Sequence, residues 1–397
     1  MTSTLVERAG RTRPRPEGYD NAGDGGGVST LRHDGLVVVA TYLAIRVVCL
    51  ASFGLGSRIP GARSVLGVLD GHDGRWYIDI AQHGYVTSVP AGTGFVAQTN
   101  LAFFPLYPML LRALHTVGLP YAVAGQAVDV VVGSLAVLLV LRVLRHLAPP
   151  ETAATTVLLW CFWPAAYVLS LTYSEPLFLA LSAGCLLALL KQRWALAGVL
   201  ALLGSATRPT GLVLALACLV AAVSAARRGE GLRPWVAVLL APWGALAFAA
   251  YLIRHTGSLS SYSRTEKDGW GTAFDGGTST FSQAFRAVLH PGVRPPDLAV
   301  VAFIVVALVL LGLLLKDGLP APVLAYTVGL LFLAVTGGKG TYSSIPRLLL
   351  PAFPLLLPLA ARIRRYAPAA LTPVIGASAL LVGASAVVIT ASEVIIP

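Results

Sequence analysis

A short stretch around residue 73 holds the residue types that a site for activating a hydroxyl group needs. Asp73 stands between His72 and Gly74, and Trp76 and Tyr77 follow it. A carboxylate can accept a hydroxyl proton, and flat aromatic rings stack on the apolar faces of sugars. The neighbouring glycine favours a turn that exposes Asp73. The alternative, an Asx turn with aromatic residues anchored at a bilayer surface, fits these residues equally well.

Arg208 and Glu175 are the strongest candidates outside this stretch. Arg208 lies between two apolar runs, where a guanidinium is costly unless it has an anionic partner, and its planar fork matches a phosphate group. It could instead bond loop carbonyls or pair with Glu175. Glu175 could bind sugar hydroxyls, orient a substrate or steady Arg208, or it could simply begin a helix with Pro176 in the first turn. Arg347 is a second candidate for binding phosphate.

The other polar and aromatic residues of these segments are candidates for binding substrate. Asp70 is the nearest substitute for Asp73. Phe104 and Tyr107 could flank an isoprenoid chain, although an aromatic belt explains them nearly as well. The full set of predicted substrate-binding residues is Asp70, Arg75, Trp76, Tyr77, Asn100, Phe104, Tyr107, Tyr173 and Glu175.

Neither a metal ion nor a cofactor is predicted. Asp70, Asp73 and Asp79 are close in sequence, but a hard cation needs several converging oxygens, and one short loop does not show convergence. The sequence has no Walker loop, no dinucleotide-binding glycine motif and no Ser-His-Asp arrangement. These absences argue against ATP hydrolysis and against a nucleotide-sugar donor.

Composition indicates which elements must position these residues. The chain has 397 residues, of which 56% are hydrophobic and 12% charged, and its mean hydropathy is +0.75. These values are typical of a protein with many membrane spans. The net charge of +11 comes from clusters at the ends of apolar runs, so it reports membrane topology, and no nucleic-acid partner is predicted. The predicted fold is an all-α integral membrane protein that contacts membrane lipids.

About eleven apolar runs approach the length of roughly 20 residues that a membrane-spanning helix needs. Segment 101–117 is also apolar, but two prolines interrupt it, so it is predicted to be a short helix in the membrane interface. The predicted spans are 35–54, 121–141, 153–173, 176–190, 194–207, 210–225, 235–253, 298–315, 320–336, 347–361 and 370–391.

The positive-inside rule gives these spans an orientation. Residues 1–34 are rich in Arg, Pro and Gly and are predicted to form a disordered cytoplasmic tail, followed by one membrane domain over 35–397. Alternation of the spans then places the basic turns inside. The outer loops 55–120 and 254–297, with the candidate residues, fall on the opposite side. Two charges inside spans, Arg46 and Asp129, are predicted to pair or to line a wet cavity.

Several of these motifs together resemble one known family. Asp73-Gly-Arg-Trp-Tyr77, then Ile80-Ala-Gln-His-Gly-Tyr85, then Phe103-Phe-Pro-Leu-Tyr-Pro108 are similar to motifs of the PIG-V-like mannosyltransferases of the GT-C class. Tyr173-Ser-Glu-Pro-Leu-Phe178 and Arg208-Pro-Thr-Gly211 extend the likeness over about half of the chain. The family usually has an aromatic residue before the Asp, whereas this chain has His72.

The resemblance implies a GT-C bundle with short interfacial helices in its outer loops. It also implies transfer of mannose from a polyprenyl phosphate donor to an acceptor hydroxyl outside the cytoplasm, with Asp73 as the base. A single displacement would invert the anomeric centre, and Arg208 and Arg347 would meet the phosphate charge. The acceptor could be a glycolipid, a glycan or a protein, and the composition suggests a bacterial plasma membrane. The alternatives are a transporter or flippase of lipid-linked sugars, and a scaffold subunit.

Overall fold

A computed structural model of the chain describes residues 24–289 and 295–391, and within these ranges all regular structure is helical. The prediction of an all-α protein is confirmed. The α-helices are α1 (Asp24–Gly56), α2 (Val65–Leu69), α3 (Asp73–His83), α4 (Leu106–Thr116), α5 (Tyr121–Arg145), α6 (Pro150–Cys161), α7 (Glu175–Leu190), α8 (Trp194–Ser205), α9 (Leu212–Arg227), α10 (Trp235–Leu240), α11 (Trp243–Thr256), α12 (Ser261–Arg264), α13 (Thr278–Leu289), α14 (Pro295–Lys316), α15 (Ala321–Thr336), α16 (Ile345–Leu348), α17 (Leu357–Tyr366) and α18 (Leu371–Ala391).

Shorter turns of helix join these elements. A π-helical turn covers Thr265–Trp270. The 3₁₀ turns are Gly94–Ala97, Asn100–Ala102, Ala166–Ser170, Pro209–Gly211, Lys339–Thr341, Phe353–Leu356 and Pro368–Ala370.

Six helical segments in the described ranges are long and apolar enough to cross a membrane: Arg32–Gly56, Tyr121–Arg145, Pro209–Arg227, Trp235–Thr256, Pro295–Lys316 and Pro368–Ala391. Three shorter apolar helices, Glu175–Leu190, Trp194–Ser205 and Ala321–Thr336, also match predicted spans. The membrane class is therefore confirmed, while the count of eleven spans stays a prediction.

Besides 235–253, which Pro242 divides into α10 and α11, two predicted spans are not continuous helices. Segment 153–173 divides into α6 and the turn Ala166–Ser170, because Pro164 prevents the helix from continuing. Segment 347–361 divides in the same way at its prolines. Both segments are buried in the main core, so their apolar character reflects packing against protein rather than against lipid.

The start of the chain also differs from the prediction. Helix α1 begins at Asp24, eleven residues before the predicted start of the first span at residue 35. An ion pair between Asp34 and Arg145, at the C-terminus of α5, anchors the early part of α1. Residues 1–23 of the predicted tail lie outside the described residues, as do residues 290–294 of the second outer loop.

Segment 101–117 forms a 3₁₀ turn and then α4, with no continuous span. At 1.5 Å per residue, the 11 residues of α4 extend about 16 Å, roughly half the thickness of the hydrocarbon core. Its buried face, Tyr107, Pro108 and Leu111, packs beside α3 and α5. Helix α4 therefore packs directly against α3.

The helices place the candidate residues at one end and basic clusters at the other. Helix α7 begins at Glu175 and ends just before Lys191, and α8 begins after Arg193 and ends just before Arg208. The separation that the sequence predicts is thus present. Which end faces the outside of the cell stays a prediction.

The two charges inside predicted spans do not form a direct ion pair. Arg46 donates hydrogen bonds to the carbonyl of Ala166 at 2.6 Å and to the Ser170 hydroxyl at 3.1 Å. Both carboxylate oxygens of Asp129 are buried without a hydrogen-bond partner among the described residues. Arg46 therefore braces the turn Ala166–Ser170, which leads directly into the segment that carries Glu175.

Candidate active site

Four chain segments that are distant in sequence bring four charged side chains together. Asp73 is the first residue of α3, and Glu175 is the first residue of α7. Arg208 precedes the turn Pro209–Gly211, and Arg347 lies in α16. Trp163 helps to place Arg347, because its indole N–H donates a 2.8 Å hydrogen bond to the carbonyl of Pro346.

Glu175 is the centre of this cluster. Its Oε1 lies 2.5 Å from Nη1 of Arg208 and 2.5 Å from Nε of Arg347. The side chain of Glu175 is only 1% exposed, and its Oε2 has no hydrogen-bond partner among the described residues. A carboxylate so far from water is stabilised as an anion by two guanidinium groups.

Asp73 joins the cluster through Arg347, whose Nη2 lies 2.6 Å from Oδ2 of Asp73. The backbone N–H of Asp73 donates to the Tyr173 hydroxyl at 3.2 Å, and the guanidinium of Arg347 lies 4.4 Å from the centre of the Tyr173 ring. Asp73 is 18% exposed, more than Glu175, Arg208 or Arg347. It is therefore the carboxylate of this cluster that a substrate can reach most easily.

The predicted turn at Asp73 is a helix start, and the unusual backbone conformation falls on the residue before it. His72 has φ 50° and ψ −122°, a conformation that a non-glycine residue rarely adopts. Its Nε2 lies 2.9 Å from Nη1 of Arg63. Burial and the charge of Arg63 lower the pKa of His72 to about 4, so the ring is neutral at pH 7 and accepts this hydrogen bond.

Asp70 holds the loop in place and does not join the four-residue cluster. Its Oδ1 accepts a 2.9 Å hydrogen bond from the Thr172 hydroxyl, and the N–H of Thr172 donates to the carbonyl of Leu69. Burial raises the pKa of Asp70, and the hydrogen bond from Thr172 opposes that rise. A Cβ added at Gly74 would lie 3.3 Å from the carbonyl oxygen of Thr172, so glycine permits this close packing.

Aromatic side chains form a shelf beside Asp73. The Trp76 ring stacks on Phe103 at 6.0 Å between ring centres, and its edge meets Trp270 at 5.8 Å. Tyr77 packs against Phe103 and Tyr107, and its hydroxyl lies 2.8 Å from the Ser174 hydroxyl. Both tryptophans are partly exposed, so their rings are accessible to a ligand.

Several predicted substrate-binding residues lie elsewhere and serve the structure. Asn100 donates to Asp79 at 2.8 Å and to the carbonyl of Gly84 at 2.9 Å, which closes the first outer loop. Phe104 packs against Phe248 and Tyr262 in a separate cluster. The predicted site residues that lie near Asp73 are Arg75, Trp76, Tyr77, Tyr173, Glu175, Arg208 and Arg347.

Asp79 is also engaged away from the cluster, by Asn100 and by His83 at 3.0 Å. Asp70, Asp73 and Asp79 therefore have different partners. Within 24–289 and 295–391, no three His, Cys, Asp or Glu side chains form a group that could hold a metal ion.

Sequence reasoning missed Trp270, Ser174 and Thr172. Trp270 lies in loop 254–297, almost 200 residues after Trp76, and no spacing in the sequence indicates that the two rings meet. Ser174 is next to the candidate Glu175 in the sequence, and this position is the signal that could have identified it. Its hydroxyl, which is hydrogen-bonded to that of Tyr77, links the start of α7 to α3.

A cavity of about 270 Å³ lies away from the cluster. It is lined by residues from the ends of α7 and α9, the start of α8 and the start of α15, including Leu190, Trp194, Arg228 and Ala321. These are the opposite ends of the helices that carry Glu175 and Arg208, so this cavity is not part of the candidate site.

No family model matches the sequence, and no curated protein matches it. Among solved structures, the chain is similar to the Archaeoglobus fulgidus oligosaccharyltransferase, crystallised with a tethered acceptor peptide containing the NVT sequon. The identity is 11% and the TM-score 0.46, over 89% of this chain and 56% of that one. It is also similar to the arabinosyltransferase EmbB of Mycobacterium smegmatis, with 14% identity and a TM-score of 0.41 over 80% of this chain and 30% of that one. The chain thus spans about half the length of the first and under a third of the second.

Proposed function

We propose that this protein is a membrane glycosyltransferase of GT-C type. It would transfer a hexose, mannose by the family resemblance, from a polyprenyl phosphate to an acceptor hydroxyl on the extracytoplasmic face of the membrane. The observation that carries the proposal is the contact of Asp73 with Arg347 within a cluster that also holds Arg208. A proton acceptor, Asp73, and two guanidiniums that could bind a phosphate thereby lie together, beside accessible tryptophan rings.

Asp73 removes the acceptor proton in this proposal. The acceptor oxygen forms a bond to the anomeric carbon, while the bond from that carbon to the phosphate oxygen breaks and the polyprenyl phosphate leaves with the electron pair. One carboxylate that assists attack opposite the leaving group inverts the anomeric configuration. No general acid is needed, because a phosphate is already an adequate leaving group.

Arg208 and Arg347 stabilise the charge that develops on the leaving phosphate. Arg347 already bonds to both Asp73 and Glu175, whereas the ion pair of Arg208 runs through Nη1 alone. The other N–H groups of Arg208 are therefore the donors best suited to a phosphate oxygen. Glu175 keeps the two guanidiniums in position.

The main rival is a transporter of lipid-linked sugars. Transporters place their binding residues near the bilayer midplane, between repeated halves of the chain. Here the charged cluster lies at helix ends, where α7 begins and where α8 has just ended. A bond-forming site at the membrane surface fits this placement better.

Substitution of Asp73 by Asn tests the proposal, because it keeps the shape of the side chain and removes the base. Purified protein would be given radiolabelled short-chain polyprenyl phosphate mannose and octyl mannoside as probes. We expect transfer to fall by about 10²- to 10⁴-fold, the usual contribution of a general base, with donor binding retained. Glu230→Gln, at the opposite helix ends, is the matched control.

Unchanged transfer by the Asp73→Asn protein would move the base to Asp70 or remove the chain from this class of enzyme. Passage of intact donor across a proteoliposome membrane, without release of labelled mannose, would favour the transporter instead.

A further inference from the structure

Glu266 lies in the π-helical turn Thr265–Trp270, which packs across the first outer loop. The hydroxyl groups of Thr265 and Thr99 are 3.0 Å apart and buried. Gly269 accepts a hydrogen bond from the Gln98 side chain, and a Cβ at Gly269 would come within 3.0 Å of the Ala97 carbonyl oxygen. This side of the turn is therefore fixed to the loop that carries the shelf.

The other side of the turn is held by the segment that leads to Arg347. The N–H of Gly340 donates a 3.0 Å hydrogen bond to the carbonyl of Gly271. A Cβ at Gly340 would lie only 1.9 Å from the carbonyl oxygen of Trp270, so only glycine fits there. Contacts on both sides give the turn a defined position, with Trp270 against Trp76. A π-turn inserted among helices is often found at functional sites.

Two tryptophan rings fix how this turn faces α3. Asp73 and Trp76 are three residues apart in an α-helix, and Glu266 and Trp270 are four apart in a π-turn, so each acid shares a helix face with its tryptophan. The two indole rings meet at 5.8 Å. Each acid therefore precedes one of the two contacting rings by about one helical turn, and the charge of Asp73 acts on Glu266.

The surroundings of Glu266 shift the pKa of its carboxyl group. Burial raises its pKa, a hydrogen bond with Tyr262 lowers it, and the negative charge of Asp73 raises it again, with a net value of about 7. The neighbouring turns 94–97 and 100–102 carry no titratable side chain, α12 carries Tyr262 and Arg264, and the adjoining loop carries Lys339. None of the described basic residues forms an ion pair with Glu266, in contrast to Asp73 and Glu175.

We propose that Glu266 is a second carboxyl group of the active site and binds the acceptor through a hydroxyl next to the one that reacts. This assignment rests on the proposed function. Asp73 takes the proton of the reacting hydroxyl, and the Glu266 carboxylate accepts a hydrogen bond from its neighbour. The indole rings of Trp76 and Trp270 support the apolar face of the same molecule. The acceptor is therefore a molecule with at least two adjacent hydroxyl groups.

A role in acceptor binding separates Glu266 from Asp73 in a measurable way. Water has no second hydroxyl to recognise, so hydrolysis of the donor would require Asp73 without requiring Glu266. Transfer to a sugar would require both. The ionised form of Glu266 is the better hydrogen-bond acceptor, so the acceptor KM should rise as the pH falls below about 7.

The test compares wild-type protein with Glu266→Gln, and with Asp268→Asn as a control from the same turn. The donor probe is short-chain polyprenyl phosphate mannose, and the acceptors are octyl mannoside and water. For Glu266→Gln we expect the KM for octyl mannoside at pH 8 to rise about tenfold or more, as for the loss of a charged hydrogen bond. Donor hydrolysis should stay within twofold, and the KM should no longer depend on pH between 6 and 8.

The outcomes distinguish this assignment from the function on which it rests. An unchanged KM and pH profile in Glu266→Gln, with active wild-type protein, would overturn the role of Glu266 alone. No release of mannose by wild-type protein would overturn both. Should Glu266→Gln fail to fold, the pH dependence of KM in wild-type protein decides. A KM that is constant from pH 6 to 8 contradicts the proposal. A KM that rises below pH 7, with the pH of that rise shifted in Glu266→Asp, supports it.

Discussion

Glu175→Gln should destabilise the protein by an amount that the structure allows us to estimate. The side chains of Glu175, Arg208 and Arg347 are 1%, 12% and 8% exposed, so water screens their ion pairs little. The substitution leaves two buried guanidiniums in the cluster, of which only Arg347 still contacts a carboxylate, that of Asp73. Breaking a buried pair by removal of one partner costs about 3–5 kcal/mol.

This free energy corresponds to a measurable shift of the thermal midpoint. The entropy of unfolding is about 2.1 cal/mol/K per residue, and the chain has 397 residues. One degree therefore corresponds to about 0.8 kcal/mol, and the midpoint should fall by about 4–6 °C. Tryptophan fluorescence of the protein in detergent micelles would report it. Glu151→Gln, whose side chain is 81% exposed, should shift the midpoint much less.

A double-mutant cycle separates the ion pair from a general packing defect. Arg208→Gln alone should also destabilise, but the double variant Glu175→Gln/Arg208→Gln removes one charge of each sign and should recover part of the loss. The expected coupling energy is about 0.5–3 kcal/mol. Effects that add within about 0.5 kcal/mol, or a midpoint unchanged in Glu175→Gln, would refute the view that this pair organises the site.

Two further predictions concern the packing of α1 on α5 and the protonation of His72. Gly133→Ala should destabilise the packing of α1 on α5 by about 1–3 kcal/mol, because the added Cβ would lie 2.0 Å from the hydroxyl oxygen of Tyr42; a thermal midpoint equal to that of wild-type protein would contradict this. His72 should make stability fall as the pH drops from 6.5 to about 4, since its ring stays neutral in the folded protein while the unfolded chain takes up a proton. His72→Gln should reduce that fall, which thermal midpoints at pH 4.5 and pH 7 would measure. If the difference between the two midpoints is the same in His72→Gln as in wild-type protein, His72 is not the responsible group.

The sequence was sufficient to predict helices wherever an apolar run had no proline beyond its first turn. The helices α5, α9, α14 and α18 lie within a few residues of predicted spans. The prediction of a continuous span was wrong at 153–173 and 347–361, where mean apolarity is high but prolines interrupt the helix. Hydropathy measures transfer out of water, and it does not distinguish burial in lipid from burial in protein.

The candidate site could be predicted only in part, for a reason of distance along the chain. Pairing of Arg208 with Glu175 was one of the alternatives that the residues themselves suggested. The contact of Arg347 with Glu175 joins residues 172 positions apart, and the packing of several helices decides it. Glu266 gave no signal in the sequence, because a single acid in a polar loop is common. Its position is evident only once Trp270 is seen against Trp76.

If the proposed function is correct, the charges of the cluster need not be rearranged when a donor binds. Two carboxylates and two guanidiniums balance formally, and contacts from α3, α7 and α16 fix them before any substrate is present. Groups fixed in this way stabilise developing charge without a reorganisation cost at the moment of reaction. A phosphate that approached Arg208 would add a negative charge beside Glu175, and the electropositive N-terminus of α7 would offset part of that repulsion. The stability of the fold and the polarity of the site therefore depend on the same four side chains.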